Sequence, residues 1–141
     1  MATLTLEGIA RDFSDGRQTR RVLFPTDLVF TPGELTVLAG PSGSGKTTLL
    51  SIMGLVLGPS EGRMRLDGQD VTALPDDASA ALRLSRYGFV FQQPMLVEGL
   101  SILENVRLAF SVQGGRAPAG FRKQAEELLA SLGLGGTGHM Q

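Results

Sequence analysis

Apolar and polar positions alternate over Thr3–Ala10, with Leu4 and Leu6 on one face, which predicts a half-buried strand. Ser14–Arg21 is polar and carries Asp15-Gly16, so a loop is expected there. Leu28-Val29-Phe30 reads as a second strand, and Pro32-Gly33 as a tight turn, because Pro presets φ and Gly tolerates the left-handed region. Leu35–Ala39 is a short, mostly apolar run between turn residues, the pattern of a strand buried on both faces in a parallel sheet. Thr47–Met53 reads as a helix, with Leu49, Leu50, Ile52 and Met53 apolar.

Further along, Arg63–Leu66 and the residues after Asp67-Gly68 form a predicted hairpin, since Asp-Gly is a favoured two-residue turn. Asp76–Arg86 is a predicted helix with Ala80, Leu82 and Leu84 available for packing, and Tyr87–Phe91 a predicted strand that stops at Gln92-Gln93-Pro94. Ser101-Ile102-Leu103-Glu104 has the form of a capping box, and the helix it opens should run to about Phe110. After a loop at Gly114–Gly120, Phe121, Ala125, Leu128, Leu129 and Leu132 fall at helical spacing, and Gly133 stands where a left-handed residue would end that helix. No internal repeat or low-complexity segment interrupts this pattern.

The 141 residues suffice for one domain and not for two. A 42% hydrophobic and 19% charged composition suits a globular domain. A formal net charge of −1 gives no basic excess for nucleic acid, and Arg20-Arg21 is too short for a binding patch. With no cysteine and a single histidine, His139, disulfide frameworks and Cys/His metal clusters are excluded. The N-terminus lacks a basic and then apolar leader, and the longest apolar stretch, Leu49–Leu57, is far short of the ~20 residues that span a bilayer. The expectation is a soluble chain for which a partner supplies any membrane part.

Gly40-Pro41-Ser42-Gly43-Ser44-Gly45-Lys46-Thr47 satisfies the phosphate-loop pattern Gly-x-x-x-x-Gly-Lys-Ser/Thr. The glycines let successive N–H groups turn inward onto phosphate oxygens. The following helix offers its N-terminal amides and dipole to an anion. Lys46 can carry a point charge to the β/γ phosphates, and the Thr47 hydroxyl can ligate Mg2+, a hard cation that prefers oxygen. A glycine-rich surface turn is the bland alternative. The apolar run before the loop and the apolar helix after it argue against it, and the nucleotide-binding stretch is expected to run from Gly40 to Thr48.

The loop and its surroundings resemble the nucleotide-binding domain of ABC transporters. The likeness is carried by LVFTPGE (28–34), GPSGSGKTTLL (40–50), GRMRLDGQDVTAL (62–74), YGFVFQQPML (87–96) and LSILENV (100–106), covering nearly the whole chain. Residues 62–106 look most like the lipoprotein-releasing and macrolide-exporter group. The resemblance implies an α/β fold: a P-loop NTPase core of strand, loop and helix, an N-terminal antiparallel β subdomain and the start of a helical subdomain. Residues 1–93 would form the first part, up to the Q-loop, and residues 94–141 the beginning of the helical subdomain.

It also implies roles. Gln92 would be the Q-loop glutamine, touching Mg2+ or the attacking water; read without the family, it is a polar residue ending a strand. Phe13 would stack on adenine, where the family more often has Tyr; read alone, it could be a core residue. Residues after Pro94 would face transmembrane permease subunits, and a second nucleotide-binding domain would complete a pair at the inner face of the membrane. The ligands would be ATP and Mg2+.

The resemblance is to the first half of such a domain, a truncated form. No run of four apolar residues precedes an Asp-Glu, no Leu-Ser-Gly-Gly-Gln occurs, and His139 has no switch-histidine context. The expectation is a chain that binds nucleotide and barely hydrolyses it. Two other readings stay open: another P-loop enzyme, and a nucleotide-binding module without turnover. A GTPase would want an Asn-Lys-x-Asp stretch, which is absent, and a kinase a basic lid, for which Arg83 and Arg86 alone are poor material. Asp76-Asp77 and Glu126-Glu127 read as solvated helix positions.

Overall fold

A computed structural model describes residues 3–16, 18–93, 95–112 and 117–140. The chain divides into two compact units, Met1–Gly88 and Phe89–Gln141.

The first unit is built on a four-stranded antiparallel sheet: β1 (Leu4–Ser14), β2 (Thr19–Phe30), β3 (Glu61–Leu66) and β4 (Gln69–Asp70), in the order β2-β1-β3-β4. The alternation that predicts β1 buries Leu6. A register shift between Leu6 and Ile9 then changes the phase, and Ile9 and Ala10 are both buried. At this bulge β3 comes so close that a Cβ on Gly62 would lie 2.4 Å from the Gly8 carbonyl oxygen, so only glycine fits there. Asp67 and Gly68, with φ of 52° and 80°, make the two-residue turn the sequence predicts between β3 and β4.

The expected loop Ser14–Arg21 is mostly strand. The turn shrinks to residues 15–18, Arg17 lying outside the described residues, and the ladder pairs Asp12 with Arg21, Phe13 with Arg20 and Ser14 with Thr19. Arg21 holds Asp12 with two hydrogen bonds, 2.8 and 2.9 Å long, and also bonds Glu61 on β3. These cross-strand ion pairs make a strand of residues that carry no hydrophobic alternation. β2 likewise begins nine residues before Leu28; Pro25 sits at the irregularity between the Arg11–Leu23 and Ile9–Thr26 pairs, where no ladder bond needs its missing N–H.

Helix α1 (Lys46–Met53) lays Leu49 and Ile52 on the sheet, in a core with Leu6, Ile9, Leu23, Met64, Leu66 and Val71. Helix α2 (Asp76–Arg86) matches its predicted range. It has acidic residues in its first turn and Arg83 and Arg86 in its last, complementing the helix dipole. It is tied back by Arg83, which donates to the Leu55 carbonyl at 2.5 Å, and by Arg86, which pairs with Asp67.

Two expected strands do not form. Leu35–Ala39 joins no ladder, with Leu35 92% and Val37 78% exposed, and Tyr87–Phe91 joins none either, with Val90 fully exposed. A strand buried on both faces needs hydrogen-bonded neighbours at its edges, and among the described residues none runs beside either segment.

The second unit holds α3 (Ile102–Val112) and α4 (Phe121–Ser131). The capping box forms: the Ser101 N–H and hydroxyl donate to Glu104 at 2.8 and 2.6 Å, and the Glu104 N–H donates back to the hydroxyl at 3.3 Å. The next two amides of α3, Ile102 and Leu103, donate to the carbonyls of Met140 and Gly138. α4 ends as predicted at Gly133, φ 79°, whose N–H reaches the Ala130 carbonyl while that of Leu134 reaches Leu129. The loop expected at Gly114–Gly120 lies outside the described residues over 113–116, as does Pro94.

Candidate nucleotide-binding site

The glycine-rich loop leads directly into α1. Gly43 and Gly45 take φ of 78° and 87°, left-handed values that L-side chains rarely adopt. A Cβ on Gly45 would sit 2.8 Å from the Val22 carbonyl oxygen, so glycine lets the loop press against β2. A Cβ on Gly40 would crowd the Ser44 hydroxyl at 3.0 Å. Between these glycines Pro41 accepts a turn bond from the Ser44 N–H at 3.3 Å, and Ser42 is exposed at the tip.

Gly45 is the N-cap, and its carbonyl accepts the first helical bond, from Leu49, at 2.8 Å. The amides of Lys46, Thr47 and Thr48 lie in the first turn, where the helix itself supplies no acceptor. No side chain caps this end and no acidic residue stands in the first turn, so nothing negative competes with an incoming anion.

Lys46 curls over the loop. Its ammonium donates to the carbonyls of Gly40 at 2.9 Å and Pro41 at 2.7 Å, and to the Ser44 hydroxyl at 3.3 Å. The side chain thus places a positive charge over the glycine-rich loop, where it can form charge-assisted bonds to phosphate oxygens. Thr47 is exposed beside it. Among the described residues no group of three or more His, Cys, Asp or Glu could hold a metal ion. A divalent cation here would lean on the Thr47 hydroxyl and on phosphate oxygens, which suits Mg2+, an ion that takes few protein ligands.

Phe13 is 42% exposed near the end of β1, outside the core, which removes the reading of it as a core residue. The guanidinium of Arg11 lies over its ring. Arg11 stands two residues before Phe13 in a part of β1 where the register shifts, and no sequence motif marks it. Gln92 is exposed in the bend that follows residues 87–91 and belongs to the second unit. A cavity of about 660 Å³ in that unit is flanked by Glu104, Arg122 and Glu126, which are already engaged with Ser101 and with each other.

Residues 23–140 match the family described as ABC transporter. The chain belongs to the ABC transporter family. The matched span includes the phosphate loop and Gln92, and begins after Phe13. The macrolide export ATP-binding/permease protein MacB of Marinobacter nauticus is 44% identical over 132 residues, 94% of this chain and 20% of its own length. The lipoprotein-releasing system ATP-binding protein LolD of Anaeromyxobacter dehalogenans is 42% identical over 137 residues, 97% of this chain and 57% of its own. The ATP-binding cassette MJ0796, solved as a dimer in a post-hydrolysis state bound to ADP and Pi, superposes with a TM-score of 0.85 at 33% identity, covering 96% of this chain and 60% of that one. The chain thus spans from about a fifth to three fifths of the relatives it matches. Its fold is that of the ABC cassette, a P-loop NTPase fold, of which it covers part.

Proposed function

We propose that the chain binds Mg-ATP at residues 40–48 and forms the nucleotide-holding half of an ATPase that drives transport across a membrane. The observation that carries this reading is the Lys46 ammonium held over the loop by Gly40, Pro41 and Ser44. Incoming β/γ phosphate oxygens replace those weak carbonyl partners with charge-assisted bonds. The backbone of Gly40, Pro41, Ser42, Gly43, Ser44 and Gly45 wraps the phosphates. The amides of Lys46, Thr47 and Thr48 and the dipole of α1 add to the field. The Thr47 hydroxyl holds Mg2+, and Gln92 takes the role of the Q-loop glutamine. Phe13 stacks on the adenine. Residues 1–93 are then the nucleotide-holding part, and residues 94–141 the start of the helical subdomain that meets the permease subunits.

The full ATPase pairs with a second nucleotide-binding domain and sits at the cytoplasmic face of the membrane through its permease partner. Phosphoryl transfer is catalysed by positioning and electrostatics. These 141 residues carry Lys46 and Gln92 without a Walker B carboxylate or a signature sequence, so they bind ATP and barely hydrolyse it.

Calorimetric titration of Mg-ATP into the chain tests the site. Lys46→Ala removes a charge-assisted donor, so affinity should fall at least about tenfold, the equivalent of ~1.5–3 kcal/mol for a hydrogen bond to a charged group. Equal binding by both proteins overturns the assignment. Phosphate release as fast as that of an intact cassette, and lost in Lys46→Ala, overturns the claim of slow turnover.

A further inference from the structure

Arg11 precedes Phe13 by two residues on β1, with a register shift between Arg11 and Asp12. Its guanidinium carbon lies 4.8 Å from the centroid of the Phe13 ring. The same group is anchored by backbone, its Nη1 donating to the Gly58 carbonyl at 2.9 Å. Its Nε is buried and has no hydrogen-bond partner among the described residues. The neighbouring carboxylate, Asp12, is held by Arg21 in a two-bond pair. Arg11 therefore lies over Phe13 and is held by backbone.

We propose that Arg11 is a positioning residue for the nucleobase, clamping one face of Phe13 so that the opposite face is offered, fixed and electron-poor, to a stacked purine. Two physical effects act together. An exposed Phe near a strand end samples several rotamers, and a guanidinium anchored at Gly58 selects the one lying against it. A cation on one face also draws π density toward itself, which makes the far face less negative and a better platform for an electron-rich adenine. Phe13 is 42% exposed, so part of the residue remains open to a ligand. The inference rests on the reading of Phe13 as the adenine platform.

The test compares the unsubstituted chain with Arg11→Gln, Arg11→Lys, Phe13→Ala and the Arg11→Gln/Phe13→Ala double variant. Each is titrated with Mg-ATP and with Mg-tripolyphosphate, which carries the phosphates without the base. Arg11→Gln should weaken ATP about three- to tenfold and leave tripolyphosphate within about twofold. Arg11→Lys, which keeps the charge and loses the plane, should fall between. The double variant should bind ATP no more weakly than Phe13→Ala alone, because Arg11 acts through the ring.

If Phe13→Ala weakens ATP and Arg11→Gln does not, the role of Arg11 is overturned while the platform reading stands. If Phe13→Ala changes nothing, the platform reading fails and the role of Arg11 fails with it. Loss of tripolyphosphate in Arg11→Gln would mean that Arg11 supports the fold through Gly58, and would also overturn the proposal. A chain that binds neither ligand overturns both readings.

Discussion

Glycines with quite different duties look alike in the sequence. Gly62 meets the backbone of β1 so closely that an added Cβ would lie 2.4 Å from the Gly8 carbonyl oxygen and 2.6 Å from that of Glu7, with φ at 89°. Gly58 has nothing within 4 Å of the same added atom and no positive φ. Gly62→Ala should therefore cost at least about 2 kcal/mol, from left-handed strain and a backbone clash that no rotamer relieves. Gly58→Ala should be close to neutral. Urea melts of the two variants check the contrast, and equal midpoints would remove the close approach of β3 and β1. Unlike these two, the phosphate-loop glycines are readable from a motif, because spacing with Lys46 and Thr47 declares them. Gly62 depends on a partner strand some fifty residues away, and local spacing carries no trace of it.

At the level of elements, α3 is fixed at its start by the Ser101–Glu104 box and by Asn105, whose side chain accepts from the Val97 N–H at 2.8 Å and donates to the carbonyls of Leu100 and Ser101. The Ser101 hydroxyl, and after it the Ser101 N–H, hold the Glu104 carboxyl below its usual pKa. A carboxylate with a lowered folded-state pKa contributes stability that is whole above its unfolded pKa and is lost as pH falls through the folded value. Ser101→Ala should cost about 1 kcal/mol at neutral pH. It should also flatten the acid side of the stability profile of this unit, and Glu104→Gln should flatten that side while keeping part of the cap. Thermal melts from neutral to acid pH measure both, and an unchanged acid limb in Ser101→Ala would contradict the box. Helices α3 and α4 were legible because the Ser101–Glu104 box, the Gly133 stop and 3.6-residue periodicity are local. β2 was half legible, since Arg20 and Arg21 join the ladder through Phe13, Asp12 and Glu61, partners that only the folded sheet brings near.

For the whole molecule, the decisive feature is apolar surface. Leu35 and Val37 in the first unit, and Val90 and Phe91 in the second, are more than half exposed in segments that join no ladder. Extended apolar segments with open edges pair readily with other chains. The chain should self-associate as its concentration rises, and Leu35→Lys combined with Val37→Glu should lower the associated fraction in light scattering. A monomer at high concentration without those substitutions would refute this. The sequence by itself determined the chemistry: the phosphate loop, the family, the helices with their caps and the Asp67-Gly68 turn all follow from residues within a few positions of one another. Tertiary structure decided which apolar runs became strands, how far β2 extends, why Gly62 must be glycine and that Arg11 covers Phe13. The reason is physical. Capping, turn chemistry and phosphate cradling act across neighbouring residues, whereas a strand exists only through hydrogen bonds to another strand, and Leu35–Ala39 finds none among the described residues.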